Sequence, residues 1–448
     1  MHASARVLLF SDTDDARDLA GRLEQHGFQP LPANSRDDAL RIVAGRYPDI
    51  AIVEAAKGAD CARFRQDLRD LRPEGGIPMI VIGAADETSD DSLQIEFLPA
   101  PFRDAELFSR LKTLARLATM QGELVLRSET SQQYGLEIPA HVTPADEVAD
   151  PRILVIASDE FIRRTVTSMI APIATTETVG QPYEAIERLL QNSFDAVVAV
   201  RADNADELAD FCRSLRNHVN LFNLPLLVLG DGTDPAADDQ AYEAGASDVL
   251  DLGNGAARLQ PRLDHLIRQQ RYRQAMQEVY REGRRYAGTD ALTGLFGHSY
   301  LHTHLQKQIA ECRSREKDLA IGFFDIDNMA RTNRLYGYAA GDRLLRQIGG
   351  AIGGLVRAED LPARYGGDTF CVVLPDSDQE SARPVLQRIA GVINYTEFTI
   401  KDVSEPVKVH LLTGGAAVRD GDSAESLVAR ARASINHWAV SGQDRLRN

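Results

Sequence analysis

Residues Arg357 to Phe370 read RAEDLPARYGGDTF, which brings an Arg-x-x-Asp, a glycine pair, an acid and a threonine close together. Upstream, FFDID delivers Asp325 at the end of an apolar run. The two glycines make a turn between strand-like runs and put Asp368 on it. Carboxylates on neighbouring strand ends could hold Mg2+, which takes one or two carboxylates together with substrate phosphates. That would be nucleoside triphosphate chemistry, although either acid alone is more readily an ordinary turn residue. Arg357 and Asp360 suit a different task. An arginine can contact phosphate or pair bidentately with two acceptors, and an aspartate can accept from N–H donors. A spacing of three lets both side chains meet on one face of a helical turn. A surface Arg–Asp pair of little energetic worth would show the same pattern. Thr369 stands where a second carboxylate of the glycine turn would be wanted.

The chain around these residues has 448 residues, enough for two to four domains at roughly 100–200 residues each. Its composition, 44% hydrophobic and 26% charged, can fill several cores. A formal net charge of −16 excludes non-specific nucleic-acid binding, since a phosphate backbone would repel such a surface. The arginine-rich stretch from Arg262 to Arg285 is expected to be a solvated helix face. Cys61, Cys212, Cys312 and Cys371 are far apart and form no C-x-x-C, so neither a disulfide framework nor a zinc site is expected. The N-terminus lacks the layout of a secretory signal and no apolar run is long enough to span a bilayer, so a cytoplasmic protein without membrane insertion is expected.

The chain repeats itself. ARVLLFSD from Ala5 parallels PRILVIASD from Pro151, and YPDIAIVEA around Asp49 parallels SFDAVVAVRA around Asp195. The offset is the same for the arginines (152 − 6 = 146) and the aspartates (195 − 49 = 146). Short apolar runs alternating with helical stretches predict βα units on a parallel sheet. Two tandem flavodoxin-like, doubly wound α/β domains are expected at 1–120 and 151–255. A polar linker at 121–150 and a helical connecting stalk at 256–288 separate them from a third domain at 289–448. In the stalk, Leu259, Leu263, Leu266, Met276 and Val279 form a stripe that Gln270 interrupts, so a long coiled coil is not assured.

These two copies resemble receiver domains of two-component response regulators. That family uses two acids after the first strand, a phosphorylatable aspartate ending the third, Thr or Ser ending the fourth and Lys ending the fifth. The matching positions are Ser11, Asp12, Glu54, Gly83 and Ala100 in the first copy, and Ala157, Ser158, Val200, Gly230 and Leu252 in the second. Valine cannot accept phosphate and Glu54 is a poor acceptor, so Glu54 and Val200 are lost phosphorylation positions. Structural or dimerising modules are expected, with a homodimer formed through them.

The third domain carries D-x-L-T-G-L from Asp290, D-I-D, N-x-x-x-G-x-x-x-G-D and R-x-x-D followed by Y-G-G-D. Their order and spacing resemble the GGDEF domain, the nucleotidyl-cyclase-like α/β domain of diguanylate cyclases, which join two GTP into cyclic di-GMP. The whole chain resembles the PleD type of receiver–receiver–GGDEF regulator, and within it the catalytically degenerate kind. The resemblance gives Asp325 and Asp368 the metal role and Asn333 and Asp342 the guanine role. Against it, Thr369 replaces the signature glutamate, Ala330 replaces a lysine, and Ala439 and Gln443 replace the phosphate-binding lysine and arginine. Arg334 stands where an acid is usual and Tyr338 where a histidine is. Threonine offers no base near neutral pH, and phosphoryl transfer depends on neutralising the triphosphate. No catalytic residue and no bound Mg2+ are therefore expected; Asp325, Asp368, Asn333 and Asp342 are a vestigial nucleotide and metal site. The resemblance also makes Arg357, Asp360 and Arg388 a cyclic di-GMP site. It implies an effector that senses this ligand and recruits partner proteins in cell-cycle or motility control, with a cell pole as a place of concentration. A weakly active cyclase and a ligand-independent dimeric scaffold are the alternatives, and Arg163 and Arg164 are candidate ligand contacts from the second receiver-like domain.

Overall fold

The structure, a computed structural model, describes residues 5–435 apart from 12–14, 55–57, 72–76, 84–94, 143–149, 202–204, 219–220, 254–255, 287 and 401–405. The first sheet is built from β1 (Arg6–Phe10), β2 (Gln29–Ala33), β3 (Ile50–Glu54), β4 (Met79–Ile82) and β5 (Ile95–Leu98). All its pairs are parallel and its order is β2-β1-β3-β4-β5. The second has β6 (Arg152–Ile156), β7 (Thr175–Val179), β8 (Ala196–Val200), β9 (Leu226–Gly230) and β10 (Asp248–Asp251) in the order β10-β9-β8-β6-β7. Both orders are the doubly wound, flavodoxin-like one. The central strands RVLLF and AVVAV read as continuous apolar runs because helices cover both faces of each sheet.

The internal repeat has a physical cause. Asp49 Oδ2 accepts the Arg6 backbone N–H at 2.9 Å, and Asp195 Oδ2 accepts that of Arg152 at 2.9 Å. In each copy the aspartate before the third strand thus pins the start of the first.

The third sheet is antiparallel, in the order β12-β13-β11-β16, from β11 (Leu319–Ile326), β12 (Leu361–Gly366), β13 (Thr369–Pro375) and β16 (Leu411–Ala417). Two short strands, β14 (Glu397–Phe398) and β15 (Val407–Lys408), pair beside it. One layer packs helices Tyr338–Leu355 and Gln379–Tyr395 on the sheet through Leu344, Ile348, Leu386 and Ile389. The other face takes helices His298–Ser314 and Ala424–Ala433 through Leu305, Ile309 and Leu427.

Two long helices join the units. The first, Asp104–Gln132, takes Leu107, Phe108, Leu111 and Leu114 into the core of the first sheet. It then continues, so residues 121–132 of the expected linker are its C-terminal turns. The second, Ala256–Tyr286, gives Leu259, Leu263 and Leu266 to the second sheet's core. Beyond that, Leu117, Met120 and Leu124 of the first helix meet Tyr272, Met276 and Tyr280 of the second. Gln270 is buried where the stripe breaks, and the helix pairs within the chain instead of extending as an isolated rod.

The arginine-rich stretch is not a solvated face. Arg268 and Arg273 are buried, and Arg262 reaches Glu96 and Asp248. Arg110 approaches the same two carboxylates at 3.5 and 3.4 Å. The four residues obey one offset, 248 − 96 = 152 and 262 − 110 = 152, so each half of the duplication contributes one acid and one arginine. Burial alone would push Glu96 and Asp248 up, but the arginine charges outweigh it and hold both carboxyls below their ordinary values.

Candidate functional site

The glycine turn is held by residues of two sequence motifs. Gly367 adopts φ +56°, a left-handed conformation that favours glycine. Arg364 donates from Nη2 to the Gly367 carbonyl at 2.7 Å and from Nη1 to both carboxylate oxygens of Asp290 at 3.1 Å. Asp290 also accepts from the Thr293 N–H and hydroxyl. The D-x-L-T-G-L segment therefore braces the turn that carries Asp368.

On this side Asp325, at the end of β11, lies directly opposite Thr369 in the antiparallel register. Thr369 is buried, and Asp325 and Asp368 are half-buried. Asp325 Oδ1 is buried without a hydrogen-bond partner. Among the described residues no group of three or more His, Cys, Asp or Glu could hold a metal ion. A divalent ion at Asp325 and Asp368 would have to complete its shell with water and substrate phosphates. Asn333 sits on helix Met329–Tyr336 and Asp342 on the next helix. A Cβ on Gly341 would stand 2.0 Å from Asn333 Oδ1, so glycine there makes room for the amide. That Oδ1 is also buried without a partner. Ala330, Arg334 and Tyr338 are exposed. Ala439 and Gln443 lie outside the described residues.

Arg357, Asp360 and Arg388 come together. Asp360 Oδ2 accepts the Arg357 backbone N–H at 2.8 Å, closing the turn before β12. Arg388, from helix Gln379–Tyr395, donates to the Leu355 carbonyl at 3.1 Å. Burial first, then the charge of nearby Arg357, lowers the Arg388 guanidinium, while Asp360 opposes that. Asp360 is itself buried, and burial followed by the charge of Glu359 pushes its carboxyl up to about 6.

The sequence did not point to the partners of this turn. Arg127, on the first long helix, donates from Nη2 to the carbonyls of Glu359 and Asp360 at 2.9 and 3.0 Å. Arg116, about three helical turns earlier, donates from Nε to the Glu359 carboxylate at 3.0 Å. Arg127 is held by Glu123 at 2.7 Å and lies 4.4 Å over the Tyr280 ring. Glu123 is also 2.8 Å from His304 Nε2 and accepts from Gln308 at 3.0 Å. Burial would raise Glu123, but His304 and Arg127 together hold it below its ordinary value. The one sequence signal was the i,i+4 pair Glu123–Arg127. Ala358 packs against the apolar cluster of the two long helices. Arg163 and Arg164 instead bind Glu160 on their own helix.

Of the two positions expected not to accept phosphate, Glu54 ends β3 and Val200 ends β8. Arg201 then donates to Asp238 at 2.6 Å and to Asp231 at 3.2 Å, and a Cβ on Gly230 would stand 2.9 Å from its Nη2. In the second domain a guanidinium thus follows the third strand and reaches the end of the fourth. Asp12 lies outside the described residues.

Residues 287–445 match the family model described as diguanylate cyclase, GGDEF domain. Response regulator PleD of Caulobacter vibrioides is 26% identical over 459 residues, covering 98% of each chain. Diguanylate cyclase DgcP of Pseudomonas aeruginosa is 30% identical over 191 residues, 43% of this chain and 28% of that protein. Among solved structures, the GGDEF domain of DgcB from Caulobacter crescentus in complex with c-di-GMP aligns at 24% identity and TM-score 0.32, covering 33% of this chain and 85% of that one. Diguanylate cyclase SiaD of Pseudomonas aeruginosa, in complex with its activator SiaC, aligns at 26% identity and TM-score 0.34, covering 42% of this chain and 72% of that one. The C-terminal third thus matches the GGDEF domain model, in a chain similar to a PleD regulator along nearly its whole length. No helix among the described residues is long and apolar enough to cross a membrane.

Proposed function

We propose that this chain is a cyclic di-GMP receptor that has lost cyclase activity, a PleD-type regulator most similar to the degenerate paralogue PopA. The observation that carries this is the convergence of Arg357, Asp360 and Arg388 at one end of β12, whose other end is a glycine turn leading into Thr369. Two arginines and a carboxylate match the acceptor edge, phosphates and N–H donors of a guanine dinucleotide. Thr369 opposite Asp325 supplies no base for a 3′-hydroxyl, and exposed Ala330 supplies no cation for a triphosphate.

The surroundings of the turn give binding a consequence. Arg116 and Arg127 hold Glu359 and Asp360 from the first long helix, so a ligand that needs the Asp360 carboxylate must move that helix or share the turn with it. Ligand affinity and helix position are then linked, as any effector requires. Recruitment of partner proteins, assembly into a homodimer, a cytoplasmic place of action near a cell pole and service in cell-cycle or motility control belong to the same proposal. Calorimetric titration of the full chain with cyclic di-GMP tests it. Saturable heat is expected, lost in Arg357→Gly; no heat, or equal affinity in that variant, overturns the receptor role and leaves a ligand-independent scaffold.

A weakly active cyclase is the second reading, favoured by the unpartnered polar oxygens of Asp325 and Asn333. Cyclic di-GMP made from GTP and Mg2+ by the purified chain would establish it.

A further inference from the structure

Where the three domains meet, a cavity of about 960 Å3 opens between the two long helices, the second sheet's helices and the turn at Arg357. Its volume lies within the range of small-molecule pockets, roughly 300–1,000 Å3. Six arginines and nine carboxylates line it, and four of the arginines, Arg116, Arg216, Arg273 and Arg357, come from four different elements.

Their charges are unequally matched. Arg116 is paired with Glu359. Arg216 spends its donors on neutral groups: the carbonyls of Gly245 at 2.7 Å, Phe222 at 3.0 Å and Leu224 at 2.8 Å, and the Ser247 hydroxyl at 3.2 Å. Gly245 is shaped for that guanidinium, because at φ +109° its absent Cβ would lie 2.5 Å from Arg216 Cγ. Arg273 is 9% exposed, its Nε is buried without a hydrogen-bond partner, and no carboxylate pairs with it among the described residues. Burial, and after it the charges of Arg116 and Arg216, push Arg273 down to about 9; burial pushes Arg216 down to about 10. The two carboxylates whose charges offset this in part, Glu96 and Glu359, are already engaged, Glu96 by Arg262 and Arg110 and Glu359 by Arg116. A guanidinium stays protonated at neutral pH, and an unmatched buried charge costs several kcal/mol. Two such charges lining one cavity have a physical rationale if an anion joins them.

We propose that this cavity binds a phosphate-type oxyanion, with Arg273 and Arg216 as its main charge partners and Arg357 at its GGDEF-domain edge. Planar guanidinium groups suit the paired oxygens of a phosphoryl group. A bound oxyanion would tie the second long helix, the second sheet and the GGDEF domain to one another. The same chemistry is offered by the two phosphodiesters of cyclic di-GMP and by a free phosphate or pyrophosphate. Only the first source rests on the function proposed above.

The test uses the full chain in phosphate-free buffer at constant ionic strength, with pyrophosphate and cyclic di-GMP as separate probes. In wild type, pyrophosphate raises the melting temperature saturably where matched chloride does not. Arg273→Gln, which removes the unmatched charge, melts no lower than wild type without anion and binds pyrophosphate at least about tenfold more weakly, the loss of a charge-assisted hydrogen bond. Arg273→Lys keeps the charge but not the fork, and serves if the glutamine variant does not fold; the same weakening is expected. Cyclic di-GMP affinity that falls with pyrophosphate affinity in these variants assigns the anion to the dinucleotide. Cyclic di-GMP affinity that is intact, or absent in wild type, assigns the site to a separate oxyanion. An unsaturable response of wild type to both probes, or affinity for both unchanged in the Arg273 variants, overturns the proposal.

Discussion

On the proposed assignment of Asp360 to the ligand, affinity depends on pH in a way that can be worked from its surroundings. Its carboxylate accepts the Arg357 N–H and is shut away from water, and burial followed by the Glu359 charge pushes it up to about 6. Guanine N1–H and N2–H2 need an ionised acceptor, so protonated Asp360 is the incompetent form. At pH 5 only about one-tenth of the chains carry the ionised form, and apparent affinity falls by that fraction, about tenfold from its value at pH 7.5. Calorimetry from pH 5 to 8 in buffers of different ionisation enthalpy measures this directly. Near pH 6 binding should release about half a proton, rising towards one at pH 5. The stability effect has the opposite sense. Because the folded value lies above the ordinary 3.8, this group's contribution is fully present below pH 4 and lost as pH rises through 6. A rise of about two units corresponds to about 3 kcal/mol. The difference in stability between wild type and Asp360→Asn isolates that term from carboxylates such as Glu96 and Glu123 that are shifted the other way. Affinity that stays flat between pH 5 and 7.5, or an unchanged pH dependence in Asp360→Asn, would refute the assignment of Asp360 to the guanine.

Restoring the signature glutamate alone, Thr369→Glu, should yield no cyclic di-GMP from GTP and Mg2+, because Ala330, Ala439 and Gln443 still provide no cations; chromatographic detection of product would contradict this. Glu123→Gln leaves buried Arg127 without its carboxylate and should cost about 3–5 kcal/mol, seen as a lowered denaturation midpoint. With acetyl phosphate and Mg2+ neither receiver-like domain should take up phosphate, and a slower band on a phosphate-affinity gel would show that Glu54 or another residue accepts it.

Much of the fold was legible because the informative residues act locally or in matching pairs. The offset between Asp49 and Asp195 marked two copies of one strand-pinning bond, and apolar runs such as RVLLF and AVVAV marked strands covered on both faces. The GGDEF motifs were readable because Asp290, Arg364 and Gly367 form a single bonded unit. The junction was not. Periodicity says that a helix has an apolar side but not what lies against it, so residues 121–132 passed for linker and Arg273 for a solvated residue. The clamp on Glu359 and Asp360 was hidden for the same reason. Arg116 and Arg127 lie more than two hundred residues from the turn they hold, and nothing in their own neighbourhood names that partner.

The four-residue cluster of Glu96, Arg110, Asp248 and Arg262 bears on how this chain can assemble. Two matching surfaces on separate molecules would meet only at sufficient protein concentration. Joined by a short tether they see each other at an effective concentration in the millimolar range, whatever the dilution. The contact is therefore always made, and the cell cannot tune it through the amount of protein it synthesises. Any association between two copies must use surface outside this cluster. Each half of the duplication is also freed from having to be its own complement, so one can drift while the other compensates.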